Sequence, residues 1–294
     1  MPLSRRLFLL GAVSLGLGLP AQAAPNRADR LREAAGRLAA IEKREGGRLG
    51  VVVIDTGGGE KLEYRASERF PMCSTFKALA AAAILKRVDE GKERLDRVVR
   101  YGAGDLLEYA PVAQAHVAEG GMALGDLCAA AIAWSDNTAA NLMLASLGGP
   151  EAVTQFARAL GDSLTRLDRN EPDLNTSIPG DERDTTTPLA MAQDLLAVLL
   201  GDVLSEASRR QLESWMITDK VGDKRLRAGL PPSWGVGDKT GSGEHGTANV
   251  VAILRPPGGA PLIAAVYYTE SDKSMDARNT VHKEVGALIA ETFA

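Results

Sequence analysis

Cysteine and histidine are scarce in this sequence, and each scarcity closes off a class of chemistry. Cys73 and Cys128 are the only cysteines, so at most one disulfide can form, and two free, buried thiols are the favoured reading. The three histidines, His116, His245 and His282, are scattered, with none in a paired metal-ligand spacing. That argues against a zinc site and against a Ser-His-Asp triad; no metal or other cofactor is expected. Charge of one sign is also lacking in excess. A net charge of −4 provides little attraction for nucleic acid. The chain has no internal repeat and no low-complexity tract.

At 294 residues, 45% hydrophobic and 24% charged, the chain is long enough for one large domain or two small ones and has the composition of a folded, soluble protein. Residues 1–23 differ from the rest. Met1 to Arg6 carries two adjacent arginines, Leu7 to Leu19 is apolar, and Ala21-Gln22-Ala23 has the small-x-small form of a signal-peptidase site. This pattern reads as an export signal rather than a spanning helix. Ser4-Arg5-Arg6-Leu7-Phe8-Leu9 further resembles the twin-arginine type, an ordinary secretory signal being the alternative. The expected product is a periplasmic or secreted monomer starting at Ala24, without a membrane tether.

Beyond the signal, Ala28 to Glu45 has apolar residues at helical steps and stops at Gly46-Gly47. Leu49 to Asp55 and Lys61 to Arg65 read as a hairpin joined through Gly57-Gly58-Gly59. Strand character returns in Asp238 to Thr240, Asn249 to Leu254 and Leu262 to Thr269, followed by a last helix from about Asp276 to Phe293. Between these ends, 67–218 is mainly helical, with helices expected over Thr75 to Glu90, Leu124 to Ala133, Thr138 to Leu147, Ala152 to Leu160 and Pro188 to Leu200. The expected class is therefore α/β (α+β). An antiparallel five-stranded sheet flanked by helices is built from 24–66 and 219–294, an all-helical domain is inserted over 67–218, and the active site lies in the cleft between them.

Four short motifs carry chemistry. Ser74-Thr75-Phe76-Lys77 opens an apolar helix, which sets a hydroxyl and an amine one turn apart on one face. A serine becomes nucleophilic when a neighbour takes its proton, and a lysine can do so when burial lowers its pKa. Ser135-Asp136-Asn137 lies at a helix junction, Glu171-Pro172-Asp173-Leu174-Asn175 in a polar loop, and Lys239-Thr240-Gly241 on a strand. Singly, each has a bland explanation as a cap, a solvated loop or a strand end. Together and in this order they are not coincidence.

In this combination the chain resembles a class A serine β-lactamase, across essentially its whole mature length. The resemblance implies an antibiotic-resistance hydrolase acting on the cyclic amide of penicillins, with cephalosporins added through Ser242. Ser74 matches the acylated serine, Lys77 its partner, and Ser135 a proton relay to the departing nitrogen. Asn137 would hold the substrate's side-chain amide, while Glu171 and Asn175 would hold the hydrolytic water. Lys239, Thr240, Gly241 and Ser242 would bind the substrate carboxylate, with the N–H groups of Ser74 and Ser242 as oxyanion donors. Tyr109 would wall the entrance, and Glu244 follows the carboxylate-binding strand.

The resemblance also implies an Arg169–Asp184 ion pair across the Glu171 loop and a cis bond before Pro172. Where many relatives carry an arginine, Ala248 stands here, so Arg225 is expected to supply the positive charge. Cys73 has no cysteine near Gly243 to pair with, and Ala81 stands opposite Cys128. Two rivals share part of the motif set: a D-Ala-D-Ala peptidase (penicillin-binding protein) and a non-hydrolytic β-lactam sensor. Glu171 with Asn175 separates the hydrolase from both, because an acyl-serine persists unless a carboxylate activates water beside it.

Overall fold

The computed structural model describes residues 26–293; the export signal and its cleavage site lie outside them. In chain order the elements are α1 (Arg27–Glu45), β1 (Arg48–Asp55), β2 (Lys61–Tyr64), β3 (Phe70–Pro71), α2 (Phe76–Asp89), β4 (Val98–Arg100), α3 (Pro111–His116), β5 (Gly121–Ala123), α4 (Leu124–Ala133), α5 (Asn137–Leu147) and α6 (Glu151–Ala159). They continue as β6 (Thr185–Thr186), α7 (Pro188–Leu200), α8 (Glu206–Ile217), β7 (Gly235–Gly243), β8 (Thr247–Arg255), β9 (Leu262–Thr269) and α9 (Met275–Phe293). Five strands form one antiparallel sheet in the order β2-β1-β9-β8-β7, drawn from both chain ends as expected.

The sheet is covered on both faces, which is why its central strands read as unbroken apolar runs instead of alternating ones. Alternate side chains on a strand point to opposite faces, and here each face has its own core. Val51 and Val53, Val250 and Ala252, and Ala264 and Val266 face a cluster completed by Leu38 of α1 and Val285 and Ile289 of α9. Val52, Ile54, Val251, Ile253, Ile263, Ala265 and Tyr267 face the other cluster, with Phe76, Leu79, Met191, Leu195 and Met216 from the helical part. Helix α2 lies inside that second core. Every residue from Phe76 to Leu85 is buried, so the helix bearing the Ser-x-x-Lys motif is a rigid axle.

The structure corrects the sequence reading at several elements: the 67–218 stretch is not all-helical, since β3 pairs with β6 and β4 with β5 in two short two-stranded sheets whose backbone pairing leaves no apolar period to read. Strand β7 is longer than Asp238 to Thr240, because its glycine-rich ends pair through backbone groups with β8, from Gly235↔Arg255 to Gly243↔Thr247. Helix α8 was not expected. Its sequence is largely polar and it buries only Ser208, Leu212, Trp215 and Met216, although Ser205 caps it by accepting from the Ser208 N–H at 3.2 Å. The short α3 was also not expected. Strand β7 is the edge of the sheet, and the Lys239-Thr240-Gly241 motif on it borders the helical part.

Candidate active site

Ser74 sits on a single 3₁₀ turn, Cys73–Thr75, that runs directly into α2. One turn further on, the Lys77 side chain is fully buried. Its ammonium donates to Asn137 Oδ1 at 2.7 Å and to the Ser135 carbonyl at 2.9 Å, and lies 2.9 Å from Glu171 Oε1 and 3.4 Å from Ser135 Oγ. Burial pushes the Lys77 pKa down, and the Glu171 charge opposes that shift. The Ser74 hydroxyl donates to the same Glu171 Oε1 at 3.1 Å. Hydroxyl, amine and carboxylate thus meet at one oxygen atom.

Glu171 is held there by its loop. The Glu171–Pro172 peptide is cis, Asn175 Nδ2 donates to Glu171 Oε2 at 2.5 Å, and Arg169 Nε meets Asp184 Oδ2 at 2.5 Å. Asp184 also accepts the backbone N–H groups of Asp168 at 2.7 Å and Arg169 at 3.0 Å. Arg169→Ala is expected to cost about 3 kcal/mol, the low end for breaking a buried pair, because two N–H donors still serve the carboxylate. Differential scanning calorimetry should record a Tm lower by about 6–12 °C; a change under about 2 °C would mean the clasp is idle.

The opposite wall is β7. Lys239 Nζ donates to Ser135 Oγ at 3.0 Å and to the Thr240 carbonyl at 2.7 Å. Its pKa is pushed down to about 7, by burial first and the Lys77 charge second. Behind it two buried carboxyls oppose that shift: Asp219, raised to about 7 by burial and then the Asp238 charge, and Asp238, also raised by burial and bonded to Arg227. Gly241 has no room for a side chain, since a Cβ there would stand 2.8 Å from the Met72 carbonyl oxygen and 3.2 Å from the Ser74 nitrogen. Strand β7 therefore passes close beside the Ser74 N–H.

Arg225 is buried and its guanidinium fans out over this strand. It donates to the carbonyls of Gly241 at 2.7 Å and Asn249 at 2.9 Å, to Ser242 Oγ at 2.6 Å and to Asn279 Oδ1 at 3.1 Å. Ala248 pairs in register with Ser242, so Arg225 delivers charge to the segment where an arginine at 248 would have begun. Ser74, Tyr109, Ser135, Asn137, Asn175, Arg225, Thr240, Gly241 and Ser242 line one cleft of about 320 Å³. Lys77, Glu171 and Lys239 touch its lining from behind. All twelve residues singled out from the sequence therefore converge. A larger cavity of about 650 Å³, bordered by Val98, Met122 and Trp134, contains none of them.

Comparison with known proteins agrees with this geometry. Residues 33–293 match the beta-lactamase enzyme family. The β-lactamase CTX-M-8 of Citrobacter amalonaticus is 50% identical over 257 residues, covering 87% of this chain and 88% of that one. The chain belongs to the class A serine β-lactamase family. The β-lactamase AST-1 of Nocardia asteroides is 49% identical, over 87% of this chain and 83% of its own. The structure of an ancestral (GNCA) class A β-lactamase is similar to this one with a TM-score of 0.87 at 60% identity, over 88% of this chain and all of that one, its coverage being 100%.

In this β-lactamase Cys73 and Cys128 are both free and buried. Cys73 Sγ faces Gly243, where a Cβ would lie 2.7 Å away, and there is no second thiol to bridge to. Burial raises the Cys73 pKa to about 12, which keeps the thiol next to Ser74 protonated. Among the described residues no group of three His, Cys, Asp or Glu side chains is arranged to hold a metal, and no helix is long and apolar enough to cross a membrane.

Two supporting residues, Asn141 and Asn249, were missed in the sequence, and a third, Asp136, was read only as part of the Ser135-Asp136-Asn137 motif. Asn141 donates to the Glu171 carbonyl and accepts its N–H, each at 2.9 Å. Asp136 accepts N–H groups from Val112, Ala113 and Ala139 at 2.8–2.9 Å and so fixes the Ser135 turn. Asn249 Nδ2 donates to the Pro71 carbonyl at 2.9 Å, tying β8 to the chain just before Ser74. Asp136 is the capping residue of its helix, and Asn141 stands four residues after Asn137 on the same helix; Asn249 left no such signal.

Proposed function

We propose that this β-lactamase opens the cyclic amide of β-lactams by acylating Ser74 and is regenerated by water activated at Glu171. The contact of Glu171 Oε1 with both Ser74 Oγ and Lys77 Nζ carries the reading, at 3.1 and 2.9 Å. Ser74 Oγ attacks the carbonyl carbon and its proton passes to Glu171. The N–H groups of Ser74 and Ser242 hold the oxyanion. As the C–N bond breaks, Ser135 Oγ protonates the ring nitrogen, the Lys77 ammonium 3.4 Å away replaces that proton, and Glu171 hands the proton it took from Ser74 to Lys77, 2.9 Å away, so that it is again a carboxylate. A water between Glu171 and Asn175 then gives its proton to the carboxylate and attacks the ester. The Ser74–acyl bond breaks, and Ser74 recovers its proton as the product acid leaves.

The same side chains support recognition. Lys239, Thr240, Ser242 and Arg225 would hold the substrate carboxylate. Asn137 Oδ1 is engaged by Lys77, which leaves the Asn137 amide N–H₂ to donate to a substrate side-chain carbonyl. Tyr109 borders the mouth. Residues 24–66 with 219–294 would act as the sheet lobe and 67–218 as the helical lobe. Export by the 1–23 signal would put the enzyme outside the cytoplasm, where it confers resistance.

Purified protein mixed with a chromogenic cephalosporin should turn over many equivalents; a stop after one equivalent would favour the peptidase or sensor reading. The pH profile is a finer test. Lys239 carries its charge below a pKa near 7 and loses it above, so kcat/KM should decline on the alkaline side as carboxylate binding weakens. Lys239→Arg keeps the charge at every accessible pH and should move that limb up by about one unit or more. An unmoved limb would assign it to another group.

A further inference from the structure

Arg225 has a sulfur partner that the proposed reaction does not use. Helix α9 begins at Met275, whose sulfur lies 3.6 Å from Arg225 Nη2, and four residues on, Asn279 holds Nε of the same guanidinium. Both face Arg225 from one side of the helix. Met275 is 38% exposed, whereas Met72, Met143, Met191 and Met216 are 0% exposed and Met122 is 8%. Among the described residues Met275 is thus the most exposed methionine. Both thiols are fully buried, and burial raises their pKa values, so they do not compete.

We propose that Met275 is an oxidation site through which peroxide weakens substrate binding. The thioether sulfur attacks one oxygen of hydrogen peroxide, the O–O bond breaks, and sulfoxide and water form. The methionine loses two electrons and the peroxide gains them. A thioether is a weak acceptor, but a sulfoxide oxygen is a strong one. One Nη2 hydrogen of Arg225 is committed to Ser242 Oγ at 2.6 Å. The other points at the Met275 sulfur, so a sulfoxide oxygen there would hold it more strongly and draw the guanidinium away from Ser242 and from the substrate carboxylate. This rests on the carboxylate-binding role given to Arg225 above.

An interaction made equally in ground and transition states appears in KM and not in kcat. Treatment with hydrogen peroxide should add one oxygen to the peptide containing Met275, raise KM for a penicillin about five- to tenfold, and leave kcat within about twofold. Methionine sulfoxide reductases should restore KM, and Met275→Leu should show no change on treatment. Full oxidation of Met275 with an unaltered KM overturns the inference, and so does an equal rise in M275L. Untreated R225A separates the two claims. If its KM rises while oxidation does nothing, the Arg225 reading stands and the Met275 inference falls; if neither changes KM, both fall.

Discussion

Glu171→Ala is expected to lower kcat by about 10³- to 10⁴-fold, the upper part of what a general base contributes, while a first equivalent of substrate is still consumed. The asymmetry follows from Lys77. In the parent protein the Glu171 charge opposes the fall in the Lys77 pKa that burial causes. Removing that charge lets the amine go neutral, and a neutral amine one turn from Ser74 can accept the hydroxyl proton. Acylation continues, but no carboxylate remains beside the ester to deprotonate water. Intact-protein mass spectrometry should show a stable adduct of enzyme plus one substrate. Undiminished steady-state turnover in the variant would remove Glu171 from the release step.

Lys77→Met should give the opposite signature. It keeps most of the buried volume but leaves the Ser135 carbonyl and Asn137 Oδ1 without their donor, contacts of 2.9 and 2.7 Å in the parent. It also leaves Glu171 buried without the cation 2.9 Å away. The proton route from Ser74 toward Ser135 is cut before the C–N bond can break. Rapid-mixing measurement of the acylation rate should show a fall of about 10²- to 10⁴-fold, with no adduct accumulating. A variant that acylates at the parental rate would confine Lys77 to holding Asn137 and Ser135 in place.

The two variants probe residues whose motifs were legible because their geometry is local. Ser74 and Lys77 are three apart on a helix, and helical pitch alone sets them on one face. Lys239, Thr240 and Gly241 lie on a strand whose direction follows from its pairing with β8. The resemblance to relatives supplied what local geometry does not, namely Arg225 in place of an arginine at 248 and the Arg169–Asp184 clasp. Asn141 and Asn249 were opaque for a different reason. Asn141 bonds backbone thirty residues away, at Glu171, and Asn249 reaches back to Pro71 and Met72. Met275 beside Arg225 is another long-range meeting, joining the first residue of α9 to a loop before β7.

Alone, the sequence determined which short motifs the chain holds and which elements carry them, since periods of 3.6 and 2 and the capping residues act over only a few positions. The tertiary structure decided how close those residues come and how readily they hold protons. A shared oxygen atom between Ser74 and Lys77, a lysine whose pKa lies near 7, and an arginine buried under β7 all depend on desolvation. Desolvation is set by side chains folded in from distant parts of the chain, so no window of neighbouring residues contains it.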